Sequence, residues 1–269
     1  MIIKGLPDGL LYHYTDFRAF KSIVDSSSLW LSHYLNLSDN KEIKLGFNVV
    51  REAATQKFGQ IQDRILRLML LDCVDRHLPK DYYISCFCPF RDNAYLWREY
   101  GDNYRGIAIG FDVKYFAHFL QKPEYLRPVY LFPVNYDINA FEAQINDTMA
   151  QVKIPALNVM RGITVREDLW KTPHYLETRD TMSRMLAEAT MLKNTNYSDE
   201  KEWRLVNSPD FKHLDLPKIN GKNVAVFEFP KDIIKEVVVS NRNANMISKI
   251  EAVINDANLS RVSITTLEV

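Results

Sequence analysis

Strand-length runs of apolar and aromatic residues are the feature that most limits how this chain can fold. The first, Leu10–Tyr14, is followed by helical periodicity over Phe17–Ser26, with Thr15 and Asp16 as candidate helix caps. Further strands are predicted at 29–32, 82–87, 106–111, 127–136, 202–206, 224–229, 234–239 and 262–267. Because these strands and the intervening helices follow no regular βαβ order, the pattern predicts an α+β fold rather than a doubly wound sheet.

Helical periodicity dominates two long stretches, which we predict to be helical insertions around 41–78 and 140–192. No repeat, low-complexity tract or linker rich in Pro, Gly or Ser separates them from the rest of the chain. The sequence therefore predicts a single domain over residues 1–269, near the upper limit of what one hydrophobic core organises.

Charge and cysteine content limit the compartment and the partners. Lys+Arg and Asp+Glu both number 34, so the net charge of +0 demands neither a nucleic-acid nor a membrane partner. The three cysteines form no disulfide framework and have no zinc-site spacing, so no metal is expected. No signal peptide is recognisable, and no uncharged apolar run reaches the roughly 20 residues that span a bilayer. We therefore expect a cytoplasmic protein.

Two polar clusters lie at opposite ends of the chain. His13, followed by Thr15 at the end of the first strand, can hydrogen-bond a ligand at a sheet edge, although a lone histidine is more often structural. Near the C-terminus, Glu200, Glu202 and Arg204 would share one face of a strand, because side chains alternate with period 2. Two carboxylates on one face raise each other's pKa, which suits proton transfer. The alternative is a solvated strand with a weak surface ion pair.

A third cluster combines aromatic rings with cations in the middle of the chain. Trp97 and Tyr100 lie three residues apart on one side of a short helix, where they either present their rings to a ligand or belong to the core. Three arginines flank that helix and are candidate nucleic-acid contacts, or ordinary surface charges: Arg91, Arg98 and Arg105.

Four motifs, in this order, resemble the bacterial domain-of-unknown-function 2971 family. They are aromatic-His-aromatic-Thr at 12–15, Asn-x-x-Asp-x-x-Glu at 36–42, Trp-x-x-Tyr at 97–100 followed by Gly-x-x-x-Gly-Phe at 106–111, and Glu-x-Glu-Trp-Arg at 200–204. Where that family usually has Ser-x-Ser after the central strand, this chain has Cys86-Phe87-Cys88. The family name carries no function.

A more distant similarity supplies one: the opening strand and helix resemble those of ADP-ribosyltransferases of the His-Tyr-Glu type. This resemblance implies a mixed or antiparallel split sheet with flanking helices, and NAD as the co-substrate. It implies that His13 holds the NAD ribose, that Tyr100 or Trp97 stacks on nicotinamide, and that Glu202 is catalytic. Glu200, a second catalytic candidate, or Arg204, a candidate for substrate binding, would position the acceptor or the Glu202 carboxylate. The remaining residues expected near the cofactor are Tyr14, Thr15 and Ser85.

The resulting expectation is an ADP-ribosyltransferase that modifies RNA, DNA or protein, in a bacterial toxin or anti-phage role, with an antitoxin protein as a candidate partner. Three alternatives stay open. The same scaffold serves an NAD glycohydrolase, or an RNA phosphotransferase, which would require several basic residues converging on the pocket. The third is a non-catalytic module that senses or binds a nucleotide.

Overall fold

A computed structural model describes residues 7–62, 64, 67–68, 70–71, 81–120, 129–152, 173–207, 218–219 and 221–268. The chain divides into two compact units. The first consists of Met1–Asn36, Tyr83–Val134 and Asn196–Val269, and the second of Leu37–Tyr82 and Asn135–Thr195. Both predicted helical insertions fall within the bounds of the second unit, and the single domain over the whole chain stays a prediction.

Strands and helices follow closely the order read from the sequence. In the described part of the chain the strands are β1 (Leu10–Thr15), β2 (Ser28–His33), β3 (Tyr83–Phe87), β4 (Ile107–Asp112), β5 (Val129–Pro133), β6 (Trp203–Asn207), β7 (Lys218–Ile219), β8 (Lys222–Glu228), β9 (Ile234–Ser240) and β10 (Ser263–Leu267). The helices are α1 (Phe17–Ser26), α2 (Asn40–Gly59), α3 (Ala94–Glu99), α4 (Val113–Leu120), α5 (Ile138–Gln151), α6 (Pro173–Ala189) and α7 (Ile247–Asp256).

Two sheets, both in the first unit, organise these strands. The four-stranded sheet has the order β1-β4-β9-β10, with β9 and β10 parallel and the other pairs antiparallel. The six-stranded sheet has the order β5-β6-β3-β2-β8-β7 and is antiparallel throughout. Pro133, which lacks a backbone donor, ends the edge strand β5. The protein is therefore an α+β protein, which confirms the predicted class.

One hydrophobic core joins the two sheets. Alternate residues of the four-stranded sheet face it, among them Leu11, Ile109 and Val237, together with the apolar face of α1. From the six-stranded sheet, Phe87 enters the same core and meets the ring of Phe111 edge to face, with centroids 5.8 Å apart. Burial of these alternating apolar residues sets which side chains of β1 face inward.

The junction between the sheets positions the candidate site. β2 pairs with β3 at Ser32 and His33 only, so the two strands separate beyond that point. The end of β3 turns instead toward β1, where the backbone of Tyr12 exchanges two hydrogen bonds with Cys88, of 2.7 and 2.9 Å. As a result, β1 lies beside β3 at the place where β2 leaves it.

The second unit contains α2, α5 and α6. Gly46 of α2 lies against the backbone of α6, where an added Cβ would stand 2.6 Å from the Ala189 carbonyl oxygen. Helix α2 ends at Gly59. Parts of both predicted insertions, 72–80 and 153–172, lie outside the described residues.

Candidate functional site

His13 of β1 is held by the strand beside it. Its Nδ1 lies 2.9 Å from the backbone carbonyl oxygen of Cys86. A carbonyl only accepts hydrogen bonds, so Nδ1 carries the proton and Nε2 keeps its lone pair. Burial lowers the pKa of His13 below its ordinary value, and the bond to Cys86 opposes this only in part. The ring is therefore neutral near pH 7, with Nε2 as a hydrogen-bond acceptor.

A cavity of about 390 Å³ opens beside this ring. Its walls come from β1, α1, β2, the turn after β2 and β8. The lining residues are His13, Thr15, Ala19, Ser22, Ile23, Ser28, Leu29, Trp30, Ser32, Asn36 and Val224. The lining therefore combines hydroxyl and amide groups with apolar surface, and among the residues that the structure describes it includes no lysine, arginine or carboxylate.

Thr15 is free to face this cavity because its neighbour caps the helix. The Asp16 carboxylate accepts a 2.7 Å hydrogen bond from the backbone N–H of Ala19, which makes Asp16 the N-cap of α1. Of the two cap candidates in the sequence, Asp16 is the one that caps. The Thr15 hydroxyl lines the cavity and makes no hydrogen bond to another described residue.

Glu202 and Arg204 form a buried ion pair two strands away from His13. Arg204 lies opposite Cys86 in the ladder between β6 and β3. Its guanidinium donates two hydrogen bonds to the Glu202 carboxylate, of 2.9 and 3.2 Å, and the two side chains are 1% and 4% exposed. His13 and this pair therefore flank the same residue of β3. The alternative of a solvated surface pair is wrong, because both charges are buried.

Glu200 does not share a strand face with Glu202. It ends a 3-10 helix, Thr195–Glu200, and Lys201 then takes a left-handed conformation with φ of 47° before β6 begins. The expected alignment of Glu200, Glu202 and Arg204 on one strand face is therefore wrong. Glu200 is buried and adds to the shift of Cys88, whose thiol pKa burial raises to about 11.

Tyr14 and Trp97 lie in a separate aromatic cluster. Tyr14 points to the opposite face of β1 from His13, and its hydroxyl donates to the Phe90 carbonyl oxygen at 2.6 Å. Trp97 is fully buried, meets Tyr14 edge to face at 5.3 Å, and donates its Nε1–H to the Arg91 carbonyl oxygen at 2.8 Å. Neither residue lines the cavity, and the core alternative for Trp97 describes its environment.

Ser85 and Tyr100 also lie apart from the cavity lining. Ser85 shares a face of β3 with Tyr83 and Phe87, is buried, and its hydroxyl has no hydrogen-bond partner among the described residues. Tyr100 follows α3 and is 48% exposed. Of the six residues expected to bind cofactor, the structure brings His13 and Thr15 together at the cavity.

The three arginines near α3 each carry a carboxylate partner. Arg91 pairs with Glu236 at 2.9 Å, and the exposed Arg98 and Arg105 pair with neighbouring acidic residues at 2.8 and 3.2 Å. These carboxylates offset the positive charge on which a phosphate contact would depend. Their role in binding nucleic acid stays a prediction.

Sequence reasoning missed a buried polar network centred on Glu236. Its carboxylate accepts hydrogen bonds from the Tyr12 hydroxyl at 2.6 Å, the Thr265 hydroxyl at 2.5 Å and the Arg91 guanidinium at 2.9 Å. Gly110 lies opposite Glu236 and leaves room for the Tyr12 ring, which an added Cβ would approach to 3.0 Å. The available signal was an acidic residue inside the otherwise apolar run of β9.

A second missed feature is a strained turn after α3. Asp102, Asn103 and Tyr104 have φ values of 46, 51 and 66°, a left-handed run that non-glycine residues rarely adopt in succession. The Tyr104 ring lies parallel to that of Trp97 at 6.4 Å and under the Arg242 guanidinium at 4.7 Å. These contacts hold the turn against its backbone strain.

Two further classes of feature are absent within the described ranges. No group of three or more His, Cys, Asp or Glu side chains is arranged to hold a metal ion there. In the same ranges no helix combines the length and apolar character needed to cross a bilayer.

Comparison with known proteins gives one match. Residues 96–205 match the model of a family described as "Protein of unknown function (DUF2971)", in agreement with the resemblance read from the sequence. The matched segment contains Trp97, Tyr100 and the Glu200–Arg204 motif. No curated protein and no solved structure matches the chain.

Proposed function

We propose that this protein is an NAD-dependent ADP-ribosyltransferase that modifies a macromolecule. The observation that carries the proposal is the neutral, oriented ring of His13 on the wall of an uncharged, hydroxyl-lined cavity. The cavity volume of about 390 Å³ lies in the range of small-molecule sites, roughly 300–1,000 Å³. Such a cavity suits one nucleoside half of NAD, with the ribose hydroxyls within reach of His13.

In this proposal His13 orients the ribose. Because Nδ1 donates to the Cys86 carbonyl, Nε2 accepts a hydrogen bond from a sugar hydroxyl. The division of the strands into two sheets, with His13 at their junction, also agrees with the split sheet that the resemblance implies. That agreement supports the proposal at the level of the fold alone.

The proposed reaction breaks the bond between C1′ of ribose and the nicotinamide nitrogen, which leaves with the electron pair. The acceptor nucleophile forms a new bond to C1′ and loses its proton to water. The transition state resembles an oxocarbenium ion, as in glycoside hydrolysis. Glu202 is not among the residues that line the His13 cavity. In this scheme its carboxylate accepts a hydrogen bond from the ribose 2′-hydroxyl and stabilises the developing positive charge, while Arg204 holds the carboxylate in its orientation. In the same scheme Glu200, at the end of the preceding 3-10 helix, helps to position Glu202.

The acceptor in this proposal is RNA, DNA or protein, and the biological setting is a toxin or anti-phage effector, with an antitoxin as a candidate partner. Because Arg91, Arg98 and Arg105 are paired with carboxylates, the proposal does not assign the acceptor surface to them.

The test is incubation of the purified protein with NAD labelled on its adenylate part, together with separate pools of RNA, DNA and cell protein. Glu202→Gln and His13→Gln should each lower label transfer at least tenfold. Glu99→Gln is the matched control, because it makes the same change at an exposed carboxylate that also pairs with an arginine. Transfer that survives both site variants, each shown to be folded, would refute the proposal. Loss of NAD without a labelled acceptor would point to a glycohydrolase.

One observation favours a second candidate, a nucleotide-binding module without catalysis. Glu202 is 4% exposed and both its oxygens accept hydrogen bonds from Arg204, an arrangement also typical of a structural ion pair. This candidate predicts that the protein binds NAD or a nucleoside through the His13 cavity and leaves NAD intact. The same incubation separates the two, since only the transferase consumes NAD.

A further inference from the structure

Trp30 is the aromatic side chain that lines the cavity. It lies on β2, is 49% exposed, and makes no ring or cation contact with another described residue. Its cross-strand neighbour Val226 is also exposed. Leu29 and Leu31, on either side of Trp30, face the hydrophobic core. The alternation of β2 therefore turns the indole away from the core, and the residue lines the cavity from that side of the strand.

The polar groups around Trp30 can hydrogen-bond but are uncharged. Thr15, Ser22, Ser32 and Asn36 line the cavity, and their side chains make no hydrogen bonds to other described residues. They present hydroxyl and amide groups that both donate and accept. His13 adds an acceptor on the same lining.

The absence of charge among the lining residues restricts the ligand. A phosphate taken into this cavity would lose its hydration with no lysine or arginine of the lining to compensate. Sugar hydroxyls, by contrast, match the hydroxyl and amide groups one for one. A flat heteroaromatic ring matches the indole face, because every nucleobase has a π-face that stacks on an aromatic side chain.

We infer that the cavity is a binding site for a nucleoside, whose base stacks on Trp30 and whose ribose lies toward His13 and Thr15, with any phosphate left outside. This inference rests on the proposed function for the choice of a nucleoside among ring-bearing polyols. It assigns the stacking role to Trp30 instead of Trp97 or Tyr100, which the sequence favoured. The adenosine and the nicotinamide riboside halves of NAD share the flat ring and the ribose hydroxyls, and they differ in charge, because adenine is neutral and the ribosylated nicotinamide ring is a cation.

The test is calorimetric titration of the full chain with adenosine, with nicotinamide riboside and with the 5′-monophosphate of each. The nucleoside that binds identifies the half of NAD that the cavity takes. Its monophosphate should bind within about threefold of the nucleoside. Trp30→Ala should weaken binding at least roughly tenfold, the loss expected for one base–aromatic stack. Trp30→Phe should stay within about threefold of the unmodified chain, and Tyr100→Ala is the control for an exposed aromatic outside the cavity.

NAD consumption is measured on the same samples, so that failure of this inference can be distinguished from failure of the proposed function. The inference is overturned if neither nucleoside binds, if the monophosphate binds more than tenfold tighter, or if Trp30→Ala binds as the unmodified chain does. If NAD is consumed while Trp30→Ala is without effect, the transferase stands and the role of Trp30 falls. If the nucleoside binds with the expected dependence on Trp30 while NAD stays intact, the binding site stands and the transferase falls.

Discussion

Glu202→Gln tests how strongly the buried ion pair holds the first unit together. The substitution removes the Glu202 carboxylate from the Arg204 guanidinium, which is 1% exposed. Removing one partner of a buried pair costs about 3–5 kcal/mol, because the remaining charge has lost its hydration. The glutamine oxygen still accepts one N–H, while its amide group opposes the other, so we expect the lower end, about 3 kcal/mol. For chains of roughly 150–250 residues this lowers Tm by about 6–12 °C.

The assay monitors urea and thermal unfolding of Glu202→Gln and of a control variant by circular dichroism. Glu99→Gln is the exposed control, since a surface ion pair is worth under about 1 kcal/mol. Replacing both partners, as Glu202→Leu with Arg204→Met, should recover most of the lost stability because neither charge of the pair is left buried alone. If Glu202→Gln costs no more than Glu99→Gln, the pair is not desolvated and the reasoning is refuted. Activity of Glu202→Gln should therefore be measured well below its own Tm.

Three further predictions concern packing and pH. Gly106→Ala places a Cβ against backbone atoms, among them the Thr15 carbonyl oxygen of β1, and should lower the free energy of unfolding by about 1–3 kcal/mol. In the control Gly59→Ala the added Cβ meets nothing within 4 Å, so this variant should be as stable as the unmodified chain or more so. Equal melting temperatures of the two variants would contradict this. Burial alone would raise the pKa of Glu236, but its hydrogen bonds and a nearby arginine lower it, so the stability it confers is present at neutral pH and lost as pH falls through its folded pKa. Tyr12→Phe should therefore cost about 1.5–3 kcal/mol at pH 7 and progressively less in acid, in urea unfolding across pH; a cost independent of pH would contradict this. Because burial lowers the pKa of His13 below 6.5, stability should fall as pH drops below about 6.5, and melting of His13→Gln should lack this loss.

Most of the fold was predictable because local pattern and burial agree. The apolar run of β1 and the periodicity of α1 each match the observed element, since both bury the same face on which the pattern depends. Pro133 at the edge of a sheet and Gly59 at the end of a helix follow from backbone chemistry that no tertiary contact overrides. Hydrophobic periodicity and the backbone chemistry of proline and glycine are properties of single residues and of short stretches of sequence.

The candidate site was less predictable, because it depends on which faces meet. The Glu200–Arg204 motif reads as one strand, yet Lys201 in a left-handed conformation turns the chain between the two glutamates. Side chains alternate between two faces only within a strand, and the sequence does not show that β6 begins after Glu202. Trp97 is a second example. Its helical spacing made it a ligand candidate, but in the structure its ring is buried against Tyr14.

The sequence by itself determined the α+β class, the order of strands and helices, and the two polar clusters at the chain ends, because propensity and hydrophobic periodicity act over a few residues at a time. Tertiary structure decided what the clusters meet. The pairing of β3 with both β1 and β6 brings His13 and Arg204 to either side of Cys86, from positions far apart in the chain. The meeting of β1, α1, β2 and β8 forms the cavity that Trp30 lines. Strand pairing across long sequence separations is a property of the packed core, and no local pattern encodes it.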